Sequence, residues 1–143
     1  MKKGRTIVSD DIDAPRLIRI AAAVVLDPRQ RWLLVRKRHT RFFMQPGGKM
    51  EASEAAESAL CRELEEELGL RVQPDQLTEC GVRRAPAANE PHHEVEAHLF
   101  RLVTDERVAA AAEIAEIRWV ERREALRLTL APLTQDLLLH GLG

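Results

Sequence analysis

The sequence predicts one α/β domain, in which a mixed, partly antiparallel, curved sheet lies between two helices as an α/β/α sandwich. Three observations predict it. Residues 17–26, LIRIAAAVVL, form an apolar run rich in β-branched residues, the pattern of a buried strand. Leu60, Leu64 and Leu68 recur at every fourth position, the apolar stripe of a helix facing a core. Val95, Ala97 and Leu99 alternate with Glu94, Glu96 and His98, the period of a half-buried strand. A length of 143 residues suits one core.

Residues 1–15 are polar and end on Pro15, so they read as a tail or edge segment, with Asp10, Asp11 and Asp13 solvated. Residues 16–143 then form the single domain. Asp27–Gln30 is a turn in which Pro28 fixes φ, and Trp32–Arg36 is the second arm of a hairpin. The run Arg36-Lys37-Arg38-His39 follows, then Arg41-Phe42-Phe43. Arg36 and Arg38, as forks, and Lys37, as a point charge, are candidates to hold phosphate oxygens. Phe43, or Phe42, is a candidate to stack on a base. The turn Pro46-Gly47-Gly48-Lys49 leads into the first helix, and Lys49 is its basic residue.

That helix is expected over residues 53–68. Ser53 offers an N-cap oxygen, Glu54 and Glu57 put negative charge in the first turn, and Gly69 is the stop. A short strand and turn at Arg71–Asp75 and a strand at Leu77–Ala85 follow. Pro86, Asn89 and Pro91 mark a loop with the composition of a binding loop. His93–Val103 is the alternating strand. Thr104–Ala112 is a loop, Ile117–Val120 a short strand and Glu121–Leu126 a short helix. Pro132 opens the last helix, with Leu133, Leu137 and Leu138 inward and Gly141 as its stop.

Charge is distributed unevenly. Residues 1–50 hold 12 Lys and Arg against 4 Asp and Glu, a net of +8. Residues 51–143 hold 10 against 19, a net of −9, and the whole chain carries −1. A total near zero gives no electrostatic case for nucleic acid or a membrane surface, whereas a basic half beside an acidic helix suits a polyphosphate held between them. The two cysteines, Cys61 and Cys80, have neither disulfide-framework nor metal-ligand spacing and read as buried free thiols in a reducing cytoplasm. Lys2-Lys3 is not followed by an apolar run, so no leader is expected.

The helix at 53–68 holds six Glu and one Arg. Glu63, Glu66 and Glu67, at i, i+3 and i+4, share one face although like charges at that spacing repel. They are either a solvated acidic face or oxygen ligands for a hard divalent cation such as Mg²⁺ or Mn²⁺. Gly48, Glu54, Arg62-Glu63, Leu64, Glu66-Glu67, Gly69 and Leu70 match G-x5-E-x7-R-E-U-x-E-E-x-G-U at every fixed position, U being a bulky aliphatic.

This 23-residue segment resembles the signature of the Nudix hydrolases, and the order of elements around it is similar to theirs. The resemblance implies a Nudix-type fold and a Mg²⁺- or Mn²⁺-dependent pyrophosphohydrolase that cleaves a P–O–P bridge. It implies that Glu63, Glu66 and Glu67 hold the metal and that Arg62 orients the site. Glu54 would hold Arg62 or serve the metal's outer shell. Nudix enzymes often carry a glutamate in the loop before a Trp-containing strand. Glu113 and Glu116 both precede Trp119, and Glu113 is the favoured metal ligand or general base. A carboxylate of the helix, Glu66 or Glu67, is the other candidate base.

Small size and the PGGK turn, including Gly48, resemble the MutT-like group, so a nucleoside triphosphate is the first expected substrate. ADP-ribose or another nucleotide sugar is the alternative, since Pro86 stands 16 positions past the motif, as in some ADP-ribose hydrolases. The absence of Tyr argues against dinucleoside polyphosphates. A reading of another class is a catalytically silent nucleotide sensor, against which the intact carboxylates weigh. The partner expected is a small-molecule nucleotide, without nucleic acid or membrane, and a homodimer stays open.

Overall fold

The computed structural model describes residues 14–142; the acidic tail residues Asp10, Asp11 and Asp13 lie outside them. Seven strands form one mixed sheet: β1 (Arg16–Leu26), β2 (Trp32–Lys37), β3 (Phe43–Met44), β4 (Gly47–Lys49), β5 (Thr78–Pro86), β6 (His93–Val103) and β7 (Ile114–Val120). The order is β3-β2-β1-β6-β5, with β4 paired to β1 and β7 to β2. Among the pairings of these seven strands β1–β6 is the parallel one, and it runs in register from Arg16 opposite His93 to Leu26 opposite Val103.

The continuous apolar run of β1 has a simple cause: both of its faces are covered. Ala21, Ala23 and Val25 pack under helix α1 (Ala56–Leu68), in a cluster with Leu60, Leu64 and Leu68. Ala22, Val24 and Leu26 face the other way, onto Leu133 and Leu137 of helix α3 (Pro132–His140). β6 divides likewise, Phe100 and Leu102 toward α1, Ala97 and Leu99 toward α3. The three stripe leucines of α1 are at most 1% exposed, and sealing each contributes roughly 1.5–3 kcal/mol. The sandwich and both of its helices are therefore as the periodicities predict. A third cluster, Leu34, Phe43, Val120, Ala125 and Leu138, seats the short helix α2 (Arg122–Ala125).

Three local expectations are corrected. Helix α1 begins at Ala56 with Ala55 as its N-cap and no side-chain cap. Ser53 instead sits at φ +70 in a turn, because Glu54 is drawn away to receive hydrogen bonds from Arg62 and from the Glu51 amide. Residues 71–73 form no strand, and Pro74–Gln76 is a 3-10 turn closed by reciprocal Gln73–Gln76 hydrogen bonds. Cys61 and Cys80 are half-buried rather than buried. Among the described residues no helix is long and apolar enough to cross a membrane.

Candidate active site

Arg62 organises the first turns of α1. Its guanidinium donates to both oxygens of Glu54, from Nε at 3.0 Å and Nη2 at 2.8 Å. Nη1 donates to Glu63 Oε2 at 2.7 Å, and Nη2 also reaches the Lys49 carbonyl at 3.3 Å. One planar fork thus ties the approach loop, the helix and β4 together. These bonds hold the Glu54 carboxyl below its usual range and push the Arg62 pKa up. The resemblance left Glu54 two roles; the geometry has it holding Arg62.

Glu67 is the unusual residue. It is 2% exposed. Its Oε1 receives one long hydrogen bond from the Gly47 amide at 3.4 Å, and its Oε2 is sealed with no partner among the described residues. Burial pushes its pKa up to about 7; Lys37 opposes the rise, and the charges of Glu63 and Glu113 add to it. A sealed carboxylate oxygen without a donor is costly, and two more carboxylates act on it. A divalent cation is the partner that chemistry supplies for such an atom, so Glu67 and Glu63, with Glu113 near them, fit a metal. Glu66 is exposed on the same helix. Among the described residues no three acidic, His or Cys side chains are gathered as a ligand set, so Glu63, Glu66 and Glu67 do not converge here.

Gly48 explains how Glu63 reaches the same place. A Cβ on Gly48 would lie 2.5 Å from Glu63 Cδ, so the carboxylate occupies the room that a side chain there would need. In front of Glu63 opens a cleft lined by Lys37, Arg38, Lys49, Glu63, Asn89 and Glu113. Its volume of about 470 Å³ falls within the range of small-ligand sites, roughly 300–1,000 Å³. The loop carrying Glu113 hangs from the end of α1: the Ala109 and Ala111 amides donate to the carbonyls of Leu68 and Glu67. The Arg38 amide donates to the Glu113 carbonyl at 2.8 Å, and Lys37 Nζ lies 3.3 Å from Glu113 Oε1.

The expected residues Gly48, Lys49, Arg38, Glu63 and Glu113 therefore meet at one cleft. Two others do not join them. Arg36 donates to Glu116 at 3.2 Å and to the Thr40 carbonyl at 2.8 Å, so its guanidinium is held in a structural ion pair. Phe43 is 6% exposed in the third cluster, with the Arg118 guanidinium 4.9 Å over its ring. A ring so enclosed has no face for a base. Strand parity is the reason. Leu33 and Val35 face α1 and Leu34 faces the third cluster, and the same alternation separates Lys37 from Arg36. Of the two strand candidates, Lys37 is therefore the one that reaches the cleft, and Arg36 is not. Asn89 and Glu90 were missed as site residues, although the composition of their loop had marked it.

A second recess adjoins the cleft and shares Lys37, Gly48, Lys49, Asn89 and Glu90 with it. Its walls are aliphatic: Ile18, Ile20 and Ala22 of β1, with Met44, Ala87 and Val95. The charged cleft and the apolar slot together offer one side for an anion and one for a flat apolar group.

Known proteins bear on this arrangement. The NUDIX domain family model matches residues 16–140. A MutT protein from Methanosarcina mazei Go1 shares the fold with a TM-score of 0.72, at 22% identity, over 89% of this chain and 94% of that one. The E. coli dihydroneopterin triphosphate pyrophosphohydrolase does so with a TM-score of 0.71, at 18% identity, over 87% and 94%. Among curated proteins, an octanoyltransferase of Myxococcus xanthus is 38% identical over 127 residues. That match takes in 82% of this chain, which spans about a third (35%) of that protein's length.

Proposed function

This chain belongs to the Nudix family, and from that membership we propose that it is a divalent-metal-dependent pyrophosphohydrolase acting on a nucleoside triphosphate. One observation carries the reading. The sealed, partnerless carboxylate of Glu67 feels the charges of Glu63 and Glu113, and those two line a cleft whose other wall is cationic, Lys37, Arg38 and Lys49. A bound Mg²⁺ or Mn²⁺ would neutralise charge on the phosphate oxygens. Glu63, Glu66 and Glu67 would hold it. Arg62 and Glu54 keep Glu63 in place. Lys37, Arg38 and Lys49 bind the remaining phosphate oxygens, and the aliphatic slot takes the base.

Glu113 is assigned as the general base. Of the two cleft carboxylates outside the motif helix, Glu90 and Glu113, Glu113 is the one whose loop is anchored on that helix. Glu113→Gln is expected to lower kcat by roughly 10²–10⁴-fold. Glu116→Gln should do much less, since Arg118 and Arg36 already engage the Glu116 carboxylate and hold its pKa low. If Glu116→Gln has the larger effect, the assignment is wrong. If both effects are small, the base is a carboxylate of α1.

The ADP-ribose alternative draws on Pro86, which ends β5 and lies just before the slot-lining Ala87. A screen of nucleoside triphosphates, ADP-ribose and other nucleotide derivatives with Mg²⁺ decides between them. It is read by phosphate release after added pyrophosphatase or phosphatase. Turnover is expected on triphosphates, abolished by EDTA, and Mg²⁺ is expected to raise the melting temperature by binding the folded state. Full turnover in excess EDTA, or none on any nucleotide, overturns the proposal.

A further inference from the structure

Gln45 sits between β3 and β4 and lines the apolar slot, yet it is only 6% exposed. Its carboxamide oxygen accepts a hydrogen bond from Thr134 Oγ1 at 2.6 Å. Thr134 belongs to α3 and is fully buried, at 0% exposed. A sealed hydroxyl must place its proton on an acceptor, and this carboxamide oxygen is the acceptor it has among the described residues. With the amide turned over, the NH2 would donate to the Thr134 oxygen, and the sealed hydroxyl proton would lose the acceptor it has. The orientation of the Gln45 amide is therefore determined from behind. Its nitrogen has no partner among the described residues, nor is it one of the sealed, partnerless atoms. The NH2 is thus the end offered to the slot.

The rest of the slot sharpens the consequence. None of its lining residues is aromatic. A base lodged there lies between aliphatic side chains, which hold any flat ring equally well. Discrimination falls to the few polar groups; Lys37 and Lys49 also line the charged cleft, and of the slot's two amides, Gln45 and Asn89, Gln45 is the one whose donor polarity is preset.

We propose that Gln45, oriented by Thr134, selects nucleotides whose base presents a carbonyl oxygen, guanine or uracil and thymine, over adenine and cytosine, which present an amino group there. The proposal rests on the reading that the slot receives the base of a nucleotide. An amino edge would bring two donors together, and both would lose water without gaining a partner. An oxo edge accepts the Gln45 hydrogen bond directly.

The test is kcat/KM for GTP and UTP against ATP and CTP in the presence of Mg²⁺. The oxo bases are expected to be favoured by roughly 10- to 100-fold, the usual penalty for a polar group left unpaired. Gln45→Glu turns the inward donor into an acceptor and is expected to reverse the order. Thr134→Val removes the hydroxyl that fixes the amide and is expected to bring the ratio toward one. Each variant is judged on a ratio, so a general loss of activity does not mimic the effect. A second readout needs no metal. The side-chain amide resonance of Gln45, identified by its loss in Gln45→Leu, is expected to shift on titration with GMP and not with AMP. Equal kcat/KM for the two base classes, or ratios unchanged in both Gln45→Glu and Thr134→Val, overturns the role of Gln45 and leaves the hydrolase reading standing. If no nucleotide is turned over, the hydrolase reading falls, and the amide titration still decides: a shift with GMP alone upholds Gln45, and any other pattern overturns it.

Discussion

Glu67→Gln is expected to lower kcat by about 10³-fold or more, a loss of ~4 kcal/mol of transition-state stabilisation, while making the metal-free protein more stable at pH 8. The two effects have one cause. Glu67 is buried with one oxygen unpartnered, and its pKa in the folded protein is about 7, against an ordinary 4.5. Between those two values the folded state holds a proton that the unfolded state has released. Stability from this group is therefore full below about pH 4.5 and is lost as pH rises to about 7. The shift corresponds to about 3 kcal/mol, to order of magnitude. Gln keeps the shape and removes the titration. In EDTA, the melting temperatures of wild type and variant should nearly coincide below the unfolded-state pKa, at about pH 4, and separate by about pH 8, with the variant higher. A variant that melts lower at both pH values, or that keeps wild-type turnover with saturating Mg²⁺, removes Glu67 from the proposed metal site.

Gly47→Ala should be among the most destabilising single substitutions in the domain, and Gly48→Ala, one residue later, among the most selective for function. Gly47 has φ +148, and a Cβ there would lie 2.2 Å from the Ala21 carbonyl oxygen and 2.7 Å from Ala22 Cα. Both obstacles are backbone of the central strand β1, so nothing can swing aside. Backbone strain and overpacking each cost roughly 1–3 kcal/mol, a large share of a domain stability of about 5–15 kcal/mol. At Gly48 the obstacle is the far end of the Glu63 side chain, which can rotate. The protein should fold, with Glu63 displaced and its 2.7 Å hydrogen bond from Arg62 disturbed. Loss of metal affinity or activity by about 10–100-fold is expected, as when a metal ligand loses its support. Denaturant melts and Mg²⁺ titrations on both variants test the contrast. A Gly48→Ala protein that is unfolded, or one that keeps wild-type Mg²⁺ affinity and turnover, contradicts it.

Much of this protein is determined by periods that the sequence carries locally. The four-residue spacing of Leu60, Leu64 and Leu68 specifies a helix with one buried face, and Gly69 ends it in the left-handed conformation such a stop needs. The unbroken run of β1 specifies a strand covered on both sides. The spacing of Arg62, Glu63, Glu66 and Glu67 specifies which helix carries the acidic site. Only the tertiary structure decided how each member of those patterns is placed. Glu66 and Glu67 are adjacent in sequence and so point about 100° apart around the helix axis; docking of α1 against β4 buries Glu67 under the Gly47 amide and leaves Glu66 exposed. Arg36 and Lys37 are adjacent on a strand apolar on both faces, so alternation separates them without saying which faces the cleft. The pairing of β2 with β7, some 80 residues away, settles that by placing Glu116 against Arg36 and Glu113 against Lys37. Phe43 is enclosed by α2 and α3 from the far end of the chain, and the Gln45 amide is turned by Thr134, 89 residues later. Local spacing fixes the kind of element and the side chains available to it. The choice of face, and with it burial, charge state and hydrogen-bond polarity, is made by contacts between segments whose separation no local period records.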